Sequence, residues 1–160
     1  MEEDLKQTLT SAAVPAAAPD VSGTEPAGTA ADIRLYSPLV LAYIGDAVYE
    51  VYVRNHLIRT GGNQPVEKLH KKATRYVKAA AQAAAAEHLH PQWTEEEQDI
   101  YRRGRNAKSH TLPKNADPGD YRRATGFEAV MGWLSLKGEN DRLQQLMEAA
   151  VTYLEEENKR

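Results

Sequence analysis

The stretch from Ser37 to Arg59 constrains this chain more than any other. Ser37-Pro38 has the chemistry of a helix start, with serine at the N-cap and proline at the first helical position, where its missing N–H costs nothing. Gly61-Gly62 punctuates the other end. In the first half of the predicted helix, Leu39, Val40, Leu41, Tyr43, Ile44, Ala47 and Val48 leave nearly every face apolar. A helix of that kind needs cover all round, so it belongs at the centre of a bundle or between subunits.

The rest of the chain supplies more helices and no strand. From Pro65, the residues Val66, Leu69, Ala73, Tyr76, Val77, Ala80 and Ala84 recur at helical spacing, with His70, Lys71, Lys72, Arg75 and Lys78 on the other faces. The alanine-rich run 79–86 favours helix strongly, and Pro91 ends it. Thr94 with Glu97 three residues on forms a capping box for a short helix through Ile100 and Tyr101. A loop rich in Asn, Ser, Pro and Lys is expected over 104–119, then helices over about 120–136 and 140–156. Leu143, Leu146, Met147, Ala150, Val151 and Leu154 line one face of the last. No segment alternates with period two, so the fold class is all-α, a helical bundle.

Of the 160 residues, 1–32 read as a disordered tail rich in alanine, proline and glycine, and 33–160 as a single folded domain. The tail carries six acids against Lys6 alone, so the formal net charge of -3 hides a folded part at +2. The absence of cysteine excludes a disulfide scaffold, a thiolate metal site and a cysteine nucleophile. The acidic start Met1-Glu2-Glu3-Asp4 does not suit a signal peptide, and no run is apolar enough for a membrane span. The expectation is a cytoplasmic protein without membrane contact. The five histidines are scattered, and His88 and His90 are wrongly spaced for one helix face.

Two acids sit in apolar helical company. Asp46 lies within Ala42-Tyr43-Ile44-Gly45-Asp46-Ala47-Val48, and Glu128 within Gly126-Phe127-Glu128-Ala129-Val130-Met131-Gly132. A lone carboxylate so placed also reads as structural, bonded to an arginine or a helix N-terminus. Two of them on two apolar helices suit a shared site for a hard cation, because magnesium prefers carboxylate oxygen. Gly45 costs helix stability, which points to close packing against another backbone or to ligand access. Glu50, one turn from Asp46, reads as an outer partner of that site or as a surface or dimer-contact acid.

The segment Leu41-Ala42-Tyr43-Ile44-Gly45-Asp46-Ala47-Val48-Tyr49-Glu50 resembles the signature helix of the ribonuclease III catalytic domain, and Thr125-Gly126-Phe127-Glu128-Ala129-Val130-Met131-Gly132 resembles its second metal-binding helix. Leu69-His70-Lys71-Lys72, Arg102-Arg103-Gly104-Arg105-Asn106-Ala107-Lys108-Ser109 and Pro113-Lys114-Asn115 are similar to the compact branch of that family, the Mini-ribonucleases III. The resemblance covers roughly 37–155. It implies a homodimeric endoribonuclease that cleaves double-stranded RNA with Mg2+, or Mn2+ as the alternative ion, leaving 5′-phosphate products. Asp46 and Glu128 would be both catalytic residues and metal ligands. For the branch it further implies maturation of large-subunit (23S) ribosomal RNA from a precursor, with a ribosomal protein as a candidate helper.

Two of the family's four usual acidic positions are not acidic here: Ala42 and Thr125 stand in their places. A catalytically inactive RNA- or ribosome-binding dimer with the same fold is therefore the rival reading. The expected RNA-binding residues are Arg102, Arg103, Arg105, Asn106, Lys108 and Lys114 in one cluster, and Lys71, Lys72 and Arg75 in a second. A-form RNA is read mainly through phosphates and 2′-hydroxyls, a task that suits such clusters. No segment resembles a double-stranded-RNA-binding domain, so weak and strongly salt-dependent binding is expected.

Overall fold

In the computed structural model, which describes residues 30–108, 112 and 114–160, the Ser37 hydroxyl accepts from the Leu39 N–H at 3.3 Å and starts the longest helix. The helices are α1 (Ala30–Arg34), α2 (Pro38–Gly61), α3 (Val66–Val77), α4 (Ala79–Leu89), α5 (Glu95–Asn106), α6 (Pro118–Lys137) and α7 (Asn140–Asn158), with a 3₁₀ turn at His90–Gln92. No strand occurs among the described residues, and the chain is all-α as expected. Most of the expected tail, and Ser109, His110, Thr111 and Pro113, lie outside the described residues. The helix α1 straddles the expected boundary at 33. Ile33 is buried in the core, and Arg103 donates to the Arg34 and Tyr36 carbonyls at 2.5 and 3.2 Å.

The helix α6 forms the middle of the molecule, packed on α2, α4 and α5. Phe127, Ala129, Val130, Met131, Trp133 and Leu134 are all buried, and the Phe127 ring meets Tyr49 edge-on at 5.0 Å. It starts two residues before the expected position, because Pro118 takes the first helical place while the Asp117 carboxylate accepts from the Asp120 N–H at 3.0 Å. Gly138, at φ 75°, closes it.

Two expectations about the helices need correcting. The helix predicted from Pro65 to Pro91 is broken at Lys78, whose extended backbone (ψ 153°) both ends α3 and starts α4. The carbonyls orphaned by the break are satisfied from elsewhere: Tyr49 Oη donates to Tyr76 O at 3.1 Å and Gln82 Nε2 to Val77 O at 2.9 Å. The loop expected over 104–119 gives way to helix at both ends, because Gly104 lies inside α5 and Pro118 and Gly119 inside α6. Of the two places expected for the apolar helix, the centre of the bundle does not describe α2, which is covered within the subunit on one face only: Leu41, Ala42, Gly45, Tyr49, Val53 and Leu57 are buried. Tyr43 is 82% exposed, and Leu39, Val40, Val51 and Ile58 are exposed as well.

The capping box does more than start α5. Glu97 is 1% exposed, accepts from the Thr94 N–H at 3.1 Å, and receives Arg142 Nη2 at 2.7 Å and Nε at 3.0 Å. Arg142 also donates to the Gln92 carbonyl at 2.8 Å, tying α7 to the α4–α5 corner. Removing the cation leaves a buried carboxylate unpaired. With the guanidinium itself partly exposed, Arg142→Met is expected to cost about 2 kcal/mol, read as a lower urea midpoint. An unchanged midpoint would mean that the pair contributes nothing.

Candidate active site

Two glycines bring the carboxylates together. A Cβ on Gly45 would fall 1.7 Å from the Glu128 carbonyl oxygen, and one on Gly132 would fall 1.8 Å from the Leu41 carbonyl oxygen. The backbones of α2 and α6 are therefore in direct contact over 41–45 and 128–132, an approach that only residues without a side chain permit. Asp46 and Glu128 emerge at the same crossing.

Their environments differ. Glu128 is half-buried, and burial first, then the neighbouring Asp46 charge, pushes its carboxyl up to about 8. Asp46 stands at the exposed rim of the crossing, against the expectation from its apolar neighbours, because α2 turns its outer face to the surface there. Its carboxyl is still raised, by partial burial and then by Glu50. Glu50 itself pairs with Arg54 at 2.9 Å. Among the described residues, no protein cation or hydrogen-bond donor meets either Asp46 or Glu128, which argues against the structural reading of these acids. Two like-charged oxygen donors with no protein counter-ion suit a hard divalent cation.

Among the described residues, Asp46 and Glu128 are the two acids at the crossing itself, and the other two positions of the family's set add none. Ala42 is buried against α6, and the Thr125 hydroxyl donates to the Tyr121 carbonyl at 2.9 Å. No group of three or more His, Cys, Asp or Glu side chains able to hold a metal forms among the described residues.

The expected RNA-binding residues divide by surroundings. Arg102 pairs with Asp99, Arg103 holds the Arg34 and Tyr36 carbonyls at the end of α1 and just beyond it, and the Arg105 guanidinium lies 5.6 Å from the Tyr101 ring centre. Asn106 and Lys108 instead line a cleft with Tyr121, Arg122 and Thr125. Lys114 is exposed in the connection to α6. Lys71, Lys72 and Arg75 are exposed on α3, a separate element packed on α2, α4 and α7, with Lys72 donating to Gln64 at 2.5 Å. The basic cluster around α5 also includes Arg122, but nothing in the sequence distinguishes it from its neighbour Arg123, which pairs with Glu87 at 3.2 Å.

A Ribonuclease III domain family model matches residues 39–139 of this chain. The Mini-ribonuclease 3 of Symbiobacterium thermophilum is 52% identical over 118 residues, which are 74% of this chain and 90% of that one. The Mini-ribonuclease 3 of Streptococcus pneumoniae is 48% identical over 126 residues, 78% of this chain and 98% of that one. A crystal structure of a protein from Fusobacterium nucleatum superposes with a TM-score of 0.68 at 28% identity, over 76% of this chain and 96% of that one.

Proposed function

The chain belongs to the ribonuclease III family, in its Mini-ribonuclease 3 branch, and from that premise we propose that this endoribonuclease cleaves double-stranded RNA as a magnesium-dependent homodimer. The observation that carries the reading is the pair of unpartnered carboxylates at the Gly45–Gly132 helix crossing. Asp46 and Glu128 would hold the cation, with manganese as the alternative ion. When bound, a cation there supplies Lewis acidity, acidifying water and offsetting charge on the phosphate. The protein's own part is to position it: α2 and α6 fix the two carboxylates on backbone that has no room to shift. A duplex lying across the crossing would meet the basic residues of α5 and the α5–α6 connection through its phosphates. Arg105, Asn106, Lys108 and Lys114 are the first to test, then Arg102, Arg103 and the α3 residues Lys71, Lys72 and Arg75.

The substrate we favour is a large-subunit ribosomal RNA precursor in the cytoplasm, the role associated with this branch, with a ribosomal protein as a candidate helper. No described helix is long and apolar enough to cross a membrane. The deciding experiment is cleavage of structured RNA by wild type, Asp46→Asn and Glu128→Gln in parallel, with magnesium added and withheld. Cleavage by the wild type alone, and only with the cation, supports the enzyme. Tight duplex binding without cleavage by the wild type would establish the inactive binding dimer, the reading that Ala42 and Thr125 favour.

The exposed side of α2 calls for a second copy. Leu39, Val40, Tyr43, Ala47 and Val51 recur along it at helical spacing, continuing the exposed Leu35 and Tyr36. Sedimentation equilibrium at micromolar concentration is expected to give twice the 17.8 kDa chain mass. Tyr43→Glu, with no core contact to lose, is expected to raise the dissociation constant at least about 100-fold by placing a charge in the interface. A monomeric wild type would remove the dimer from the proposal.

A further inference from the structure

Between the end of α5 and the first turns of α6 lies an open cleft of about 530 Å³. Among the described residues, Asn106, Lys108, Tyr121, Arg122 and Thr125 supply its polar lining, with two cations and no acid. Among the described residues, neither Lys108 nor Arg122 has an ion-pair partner. The nearest acids in sequence are already engaged: Asp117 caps α6, and Asp120 faces Arg123 at 3.9 Å.

The place of the cleft matters more than its charge. Thr125 precedes Glu128 by three residues on α6, about 4.5 Å along the helix axis and on the same face. The cleft thus opens beside the candidate centre. Thr125 is neutral, with its hydroxyl spent on the Tyr121 carbonyl, so no carboxylate repels an anion there. A strand that set its scissile phosphate against Asp46 and Glu128 and ran past Thr125 would bring a neighbouring phosphate to Lys108 and Arg122.

We propose that this cleft is a phosphate subsite, holding one backbone phosphate of the cleaved strand next to the scissile linkage. Lys108 and Arg122 supply the charge, and the Asn106 amide a neutral hydrogen-bond donor. The subsite rests on the nuclease reading above. It makes Arg122, on the first turns of α6, a substrate-binding residue that fixes which linkage lies over the carboxylates.

The test uses a short duplex RNA whose cleavage position by the wild type has been mapped. Single neutral methylphosphonates replace each linkage flanking that position in turn, and binding is read by fluorescence anisotropy in the Glu128→Gln background with magnesium present. One flanking linkage is expected to weaken binding about tenfold when neutralised. With Lys108→Gln and Arg122→Gln added, that penalty is expected to vanish, and the slope of log K against log salt to fall by about one, a single phosphate's worth. Both positions are exposed, and an unchanged far-UV circular dichroism spectrum excludes misfolding as the cause. The subsite is overturned if the penalty persists in the variant, or if no flanking linkage carries one. Failure of the wild type to cleave any duplex would overturn the nuclease reading and take the subsite with it.

Discussion

Gly45→Ala is expected to destabilise the protein by on the order of 4 kcal/mol, although alanine is the better helix former. In an exposed helix interior the same change stabilises by about 1 kcal/mol, so the sign alone separates the two situations. Here the new methyl would stand 1.7 Å from the Glu128 carbonyl oxygen and 2.8 Å from the Gly132 nitrogen. Both are backbone atoms inside α6, so no rotamer change relieves the overlap, and α2 must lift away from α6. That movement opens the core around Phe127 and Met131 and parts Asp46 from Glu128. The expected result is a large drop in the urea midpoint with loss of cleavage in whatever fraction remains folded. Gly132→Ala, at 1.8 Å from the Leu41 carbonyl, should match it. Gly104→Ala meets Gly126 Cα at 2.8 Å and the Ala129 side chain at 2.9 Å, so a smaller loss is expected there. If Gly45→Ala proved as stable as the wild type, the backbone contact at the crossing would be wrong.

The same crossing shows what could be read from the sequence. Gly45 pointed to close backbone approach or to ligand access, and the contact with α6 is the first of these; Ser37-Pro38, Thr94-x-x-Glu97 and Gly138 are local chemistry that marks helix ends wherever it occurs. Gly104 carries the same residue type in a polar neighbourhood, where punctuation is the default reading. Its actual role, contact with Gly126, depends on a partner distant in sequence. The break at Lys78 has no local signal at all. It is sustained by hydrogen bonds from Tyr49 and Gln82. Glu97 read as a cap, and its buried pairing with Arg142 depends on the docking of α7. Local chemistry was legible, and the pairings made through the core were not. The cleft belongs to the second kind, because Lys108 and Arg122 meet only when α5 and α6 are in place.

Glu128→Gln is expected to lower cleavage by at least about 10³-fold while making the metal-free protein more stable at alkaline pH. The sign follows from the direction of the shift. Burial and Asp46 raise the Glu128 carboxyl from an ordinary 4.5 to about 8 in the folded protein, so the native state holds this proton more tightly than the unfolded chain. The stability associated with that proton is fully present below pH 4.5 and is lost as pH rises through 8. A neutral glutamine never incurs the loss. At pH 8.5 the metal-free variant should therefore exceed the wild type by about 2 kcal/mol, a value reduced for the solvent that still reaches a half-buried group, and the gap should close near pH 4.5. Magnesium reverses the order. A cation held by the ionised pair stabilises the wild type by RT ln(1 + [Mg2+]/Kd), about 2.7 kcal/mol at 100 times Kd, and stabilises the variant much less. Asp46→Asn should show the same reversal with a smaller metal-free gain, because Asp46 stands at the exposed rim. Thermal melts of the three proteins at pH 4.5 and 8.5, with magnesium and with chelator, read all of this without any RNA. Equal magnesium shifts in wild type and Glu128→Gln, or a metal-free variant less stable than wild type at pH 8.5, would take Glu128 out of the cation site.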